Sequence, residues 1–219
     1  MLEVIQRYKP VIEEIKKANK KIKILDVGGG SESIAPFVKE KLDITSCDVS
    51  FRKEKIVKTV KCYADNLPFK DKAFDFVISI DTLEHIPKEK RKKAIEEMLR
   101  VAREKVVIAC PCGKKSAGYE KLLIKFAKLF GRKLPWLEEH KKEGLPEIGD
   151  VEKILGSKKF IEKKNMNLTF WLFANFLDFI TRPIQKIIGP RNMMRIYGPV
   201  SKLLNFGRCY RQIFIVKIK

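Results

Sequence analysis

The run most suggestive of chemistry is ILDVGGGSES at residues 24–33. A short apolar stretch enters three glycines and leaves on polar residues, so a strand stopping at a glycine turn before a helix is the expected geometry. Glycines in such a turn let a ligand come close to the backbone and meet its N–H groups. That suits a nucleotide-like cofactor. The dinucleotide pattern G-x-G-x-x-G fails because residue 33 is serine, which lowers an NAD-binding reading without removing it. Asp48 closes the next apolar run, 22 residues beyond Asp26. At that distance an acidic side chain can accept both hydroxyls of a ribose. The competing reading is a solvated strand-end aspartate that opens a turn with Ser50. Beside the glycine turn, the binding reading gains weight.

A third stretch, ADNLPFKDKAFDFVISIDTLEHI at residues 64–86, completes a pattern. LDVGGG, the strand-end Asp48, the LPF-x-D-x-x-FD block at Leu67–Asp75 and ISIDTLEHI at Ile78–Ile86 occur in that order. Together they resemble the methyltransferase type 11 family of class I S-adenosylmethionine enzymes, over residues 22–112. The resemblance implies S-adenosylmethionine as cofactor, with Asp26, Gly28, Gly29 and Gly30 along its methionine part and Asp48 on its ribose. Ala64, Asp65 and Asn66 would flank the adenine, and Asp81 would stand beside the methionine portion and the substrate entrance. The chain departs from the family at two positions. Glu32 replaces the third glycine often found in the turn, and Tyr63 stands where an adenine-binding aspartate is usual, four residues before Leu67. Asp65 is the carboxylate left to take that role.

Methyl transfer from a sulfonium needs chiefly in-line placement of a nucleophile against an activated carbon. An acceptor that must lose a proton would gain from a base, and His85 is the nearest candidate by motif position. The alternative for His85 is a structural histidine at a helix entry. His140, in WLEEHKKEGLP, reads as a solvated residue. The cysteines lack the paired spacing of a zinc site, so no metal is expected.

Positioning these residues requires alternating strands and helices. Ile22–Val27, Leu42–Cys47, Ile56–Cys62, Phe74–Ile80 and Lys105–Cys110 read as strands, and FDFVISI has the continuous apolar character of a strand buried on both faces. Helices are expected over residues 3–19, with Pro10 awkwardly inside, over 34–38 after the glycine turn, and from Pro87 to Arg103. Residues 49–55 are too few for more than a helical turn between the second and third strands. The expectation is an α/β, Rossmann-like doubly wound sheet. The family resemblance implies seven strands, mostly parallel with the last antiparallel, and a helical cap insertion. Residues 1–112 would form the cofactor-binding half and 113–207 the cap around a sixth strand at Phe160–Met166. Residues 208–219 would carry the terminal strand. Within the cap, helices are expected at Ser116–Phe130, across the aromatic-rich Leu168–Ile180, and as two short pieces between Pro183 and Phe206.

Composition narrows the partners. The formal charge is +20; residues 1–112 carry 24 basic and 18 acidic side chains, and residues 113–219 carry 23 and 9. Such an excess attracts anionic membrane surfaces, phosphorylated metabolites or RNA, although lysine-rich surfaces also serve solubility. Residues 163–219 hold eleven basic side chains and one acidic one, Asp178, among aromatic and branched residues. That pattern favours a lid over the site first and a membrane-surface helix second. Leu168–Ile180 is too short to cross a bilayer. RNA, with Phe170, Trp171 and Phe173 as stacking groups, ranks lower for want of a known RNA-binding motif. The five cysteines read as reduced thiols, Cys110 and Cys112 as core filling, and no secretory signal opens the chain, so a cytoplasmic location is expected. The resemblance implies methyl transfer, and the long cap expected before the last strand favours a small or lipid-linked metabolite as acceptor. RNA methylation and a degenerate, non-catalytic binding fold are the alternatives.

Overall fold

The computed structural model describes residues 2–218, apart from residues 19, 32, 39–41 and 53–55. Glu32, and with it the question of the missing third glycine, lies outside the described residues. Seven strands form one sheet: β1 (Lys23–Val27), β2 (Asp43–Asp48), β3 (Lys58–Lys61), β4 (Phe74–Ile80), β5 (Ala102–Pro111), β6 (Phe160–Asn167) and β7 (Cys209–Lys217). Their order is β3-β2-β1-β4-β5-β7-β6. β7 inserts between β5 and β6, antiparallel to both, and the remaining strands share one direction. This is the Rossmann-like sheet expected from the sequence.

Both sheet faces are covered. Helices α2 (Lys88–Val101) and α5 (Ile148–Leu155) bury Ala94, Ile95, Met98, Val151 and Leu155 against one face. On the other, α1 (Leu2–Lys16) buries Val11, Ile12 and Ile15 against Ile24, Ile78 and Ile215. Cys110 and Cys112 pack in the first of these cores as free thiols. Helix α3 (Gly113–Leu129), α4 (Pro135–Glu143) and α6 (Leu168–Ile188) build a third cluster around Leu123, Leu137, Trp171 and Tyr210. Helix α7 (Pro190–Tyr197) and a 3-10 turn at Pro199–Leu204 lead back to β7.

Pro10 does not end α1. It lacks the N–H that would bond the Gln6 carbonyl one turn earlier, and the Asn165 amide of β6 donates to that carbonyl instead, at 3.0 Å. A side chain 159 residues away thus replaces the missing rung.

Three expectations are corrected. The helix after the glycine turn shrinks to a 3-10 turn at Ala35–Phe37, with Pro36 at its start and Val38 already extended. Pro36 suits only a first turn, and Ile34 and Val38 reach the core without a full helix. The cysteines are not all reduced: Cys47 and Cys62 are disulfide-bonded, with Cα atoms 6.0 Å apart. The cause is strand adjacency, because β2 and β3 pair in parallel and bring the end of each to the other. Finally, the helix over the aromatic segment does not stop near Ile180 but extends to Ile188, after which α7 and the 3-10 helix at Pro199–Leu204 supply the two short helices expected.

Candidate active site

The strand order reverses on either side of β1, and a crevice at the carboxyl ends of the strands is the usual ligand position in such a sheet. Here the ends of β1, β2 and β4 surround a cleft of about 560 Å³, ample for a small organic ligand. Gly28, Asp48, Ala64, Asp65, Asp81 and His85 all line it. Gly29, Gly30, Asp26 and Asn66, also expected at the site, are not among its lining residues.

Gly28 has φ +80° and Gly30 φ +61°, a region that side-chain-bearing residues rarely enter. A Cβ on Gly28 would also strike the Thr82 side chain, and one on Gly29 the Asp26 carboxylate. The turn is therefore packed from behind. The Thr82 hydroxyl donates to the Val27 carbonyl at 3.1 Å, tying the end of β4 to the glycine turn. Asp48 Oδ2 accepts the Gly30 N–H at 3.0 Å and Oδ1 accepts the Ser50 N–H at 3.3 Å. The expected turn with Ser50 is present, and the carboxylate keeps lone pairs free on the cleft side.

Asp26 is buried and receives the Ser33 hydroxyl on Oδ2, while Oδ1 has no hydrogen-bond partner. Burial pushes its carboxyl up to about 7, against the Ser33 bond that favours the charged form. An unpartnered buried acceptor is costly. At the far end of the cleft Asp65 pairs with Lys90 at 3.1 Å, and the Lys90 ammonium lies 5.6 Å from the centre of the Tyr63 ring. Asn66 closes this turn through its N–H to the Tyr63 carbonyl. Tyr63 is two-thirds exposed, an open apolar ring beside the carboxylate.

Asp81 follows β4 with φ +51°. Its carboxylate is held by both arms of Arg211, each at 2.5 Å, and by Arg7 at 3.0 Å. Burial opposes its charge, but the Arg211 and Arg7 guanidinium groups win and hold its carboxyl below the usual carboxylate range. Arg211 is fully buried and also donates to Glu3 and Asn165. Asn165 is the same residue that bonds the carbonyl freed by Pro10. Sequence reading missed this network, since no motif links residues 3, 7, 81, 165 and 211.

His85 occupies a 3-10 turn at Leu83–His85, and its Nδ1 meets Glu139 Oε2 of α4 at 2.7 Å. Burial pulls its imidazole below the ordinary value. His140 corrects the sequence reading: it is buried, not solvated, with Nδ1 on Glu120 at 2.8 Å and Nε2 facing His85 Nε2 at 3.3 Å. Arg91 sets this arrangement by donating to the carbonyls of Ile86, Glu143 and Gly144, which clamps the end of α4 to the turn after His85. Glu84, fully buried between them, was also missed, although its place next to His85 was a signal.

Among the described residues, none of the aromatic segment expected to serve as a lid lines the cleft. Trp171 of α6 stacks on Tyr210 at 4.0 Å, and the cap reaches the cleft through Glu139 of α4. Trp171 is buried and so is no stacking platform for a base, whereas Phe173 is exposed. No helix among the described residues is long and apolar enough to cross a membrane.

These features define a class I methyltransferase fold, a class whose methyl donor is S-adenosylmethionine. Residues 25–110 match the family model described as a methyltransferase domain. A curated relative, an uncharacterized protein of Methanocaldococcus jannaschii, is 34% identical over 105 residues, covering 46% of this chain. That alignment spans half of the relative's length. Among solved structures, a protein of Pyrococcus horikoshii superposes with a TM-score of 0.56 at 16% identity, over 98% of this chain and 89% of that one. Magnesium protoporphyrin IX methyltransferase of Synechocystis, with bound S-adenosylhomocysteine, gives 0.57 at 14% identity, over 97% and 82%. At these identities the likeness establishes the fold.

Proposed function

We propose that the protein transfers a methyl group from S-adenosylmethionine to a small or lipid-linked acceptor. The observation that carries this reading is the convergence of the glycine turn, Asp48 and Asp81 on one cleft. When bound, the cofactor supplies a methyl carbon already activated by a sulfonium. Asp26 would take the methionine ammonium on its unpartnered Oδ1, and Asp48 the ribose hydroxyls. Asp65, Ala64 and the turn closed by Asn66 would bound the adenine, with Tyr63 alongside. Asp81, with both oxygens committed to arginines, orders the wall of the site and presents a near-neutral surface to the cofactor. His85 borders the cleft and is the candidate to take a proton from the acceptor.

The charge distribution and exposed apolar side chains favour an acceptor met at an anionic membrane surface. Phe173, Leu203 and Phe206 are each more than half exposed, on a segment in which basic residues far outnumber acidic ones. Apolar anchors combined with cationic side chains are the ordinary means of peripheral membrane binding. A cytoplasmic location accords with this reading.

Calorimetric titration with S-adenosylmethionine tests the donor, with saturable binding expected; absence of binding would favour a degenerate binding fold. Incubation with methyl-labelled donor and fractionated cell extract tests the acceptor. Label is expected in the lipid or small-molecule fraction, and label in RNA would overturn the acceptor assignment.

A further inference from the structure

Glu84, His85 and His140 bring three ligand atoms within 4.8 Å of one another. The two imidazoles come from separate elements, the turn after β4 and helix α4, and their Nε2 atoms face each other at 3.3 Å. Each Nδ1 is held by a carboxylate, Glu139 for His85 and Glu120 for His140. Glu120 in turn accepts the Tyr210 hydroxyl at 2.6 Å. A carboxylate that accepts from Nδ1 places the ring hydrogen there and leaves a lone pair on Nε2. The rings lie edge-to-face with these nitrogens 3.3 Å apart, a contact that two proton-free Nε2 atoms make unfavourable and that a positive centre bound by both would relieve.

Glu84 supplies the second observation. It is fully buried, neither carboxylate oxygen has a hydrogen-bond partner, and Oε1 lies 3.9 Å from His140 Nε2. A buried carboxylate without partners is retained in a fold only at substantial cost. Ligands about 2.0–2.1 Å from a tetrahedral metal lie about 3.3 Å from one another, which is the separation of the two imidazole nitrogens. Two imidazoles and one carboxylate suit borderline divalent metals such as zinc and cobalt. Carboxylates on the far ring nitrogens are the usual outer support of such ligands.

We propose that Glu84, His85 and His140 bind one divalent transition-metal ion beside the cleft. Three protein ligands leave a coordination position open, as in catalytic rather than structural zinc sites. His85 is the ligand that lines the cleft, so the open position borders the space assigned to the donor and acceptor. The site goes beyond the methyl-transfer reading and requires neither donor nor acceptor to be present; with a metal bound, His85 Nε2 is a ligand and is no longer available as a base.

Untagged full-length protein, stripped with a chelator, is titrated with cobalt(II) and followed by visible absorption and equilibrium dialysis. One ion per chain is expected, with the absorption bands of a low-coordinate nitrogen and oxygen site, displaced by zinc. His140→Ala should abolish binding and Glu84→Gln should weaken it at least about tenfold. Glu139 is well exposed, so Glu139→Gln leaves the core intact; it should weaken binding roughly ten- to a hundredfold. Thermal melting checks the fold of each variant. Absence of stoichiometric cobalt binding, or binding that Glu84→Gln and Glu139→Gln leave unchanged, overturns the site and means that the imidazoles share a proton. S-adenosylmethionine titration of the metal-free protein is a separate measurement, so either reading can fail without the other.

Discussion

The two walls of the cleft satisfy their polar groups by different means. On the β1–β2 wall, Asp48 leans on backbone N–H groups of its own neighbourhood, and Asp26 keeps an oxygen without a partner. On the β4 wall, Asp81 is held by Arg7 of α1 and Arg211 of β7, and His85 by Glu139 of α4. The first wall is local and waits for a ligand to complete it. The second is built by side chains from distant elements, with Glu84, whose two oxygens have no hydrogen-bond partner, as a gap in it.

Removing a partner from the second wall should produce the largest effect. Arg211→Leu leaves two carboxylates, Asp81 and Glu3, buried with Arg7 as their remaining guanidinium. A loss of about 3–5 kcal/mol is expected in urea unfolding. A loss below about 1 kcal/mol would mean that packing, not charge, holds this wall.

The first wall should reveal itself in pH dependence. Asp26 moves from an ordinary 3.8 to about 7 on folding, so the folded chain keeps a proton that the unfolded chain has released. Stability of the ligand-free protein should fall as pH climbs from about 4 to 7, with Asp26 contributing up to about 1.4 kcal/mol per pH unit. Asp26→Asn should flatten that slope. Unfolding series at three pH values compare the two proteins, and equal slopes would place the unpartnered acceptor elsewhere.

Asp48→Ala should affect binding far more than folding, because its contacts lie at the rim. Calorimetry should show a loss of about 1.5–3 kcal/mol in S-adenosylmethionine affinity, with a nearly unchanged melting temperature. Gly28→Ala should have the smallest effect of the four, on the order of 1–2 kcal/mol of stability from the left-handed backbone, increased by whatever Thr82 cannot yield. A melting curve that matches the parent would contradict the packed turn.

The same contrast explains what could be read from residues alone. Gly28, Asp48 and the β4 strand lie within short segments whose periodicity and punctuation act locally, and their positions follow directly. The burial of His140 depends on Glu120 and Arg91 from other helices, and Asp81 depends on an arginine 130 residues away; neither leaves a trace in local pattern. The helix after the glycine turn failed for a local reason that was legible, the proline at residue 36. The Cys47–Cys62 bond required knowing that β2 and β3 are neighbours, which is a property of topology and not of spacing.

The insertion of β7 between β5 and β6 carries a consequence for how the molecule forms. Val107 pairs with Ile215 and Lys105 with Lys217, so the centre of the sheet closes across more than a hundred residues, and contacts of such sequence separation form slowly. A growing chain would display the glycine turn and Asp48 well before Arg211 exists to capture Asp81. Folding intermediates should therefore present a donor pocket with one finished wall, and maturation of the second wall should be the slow kinetic step.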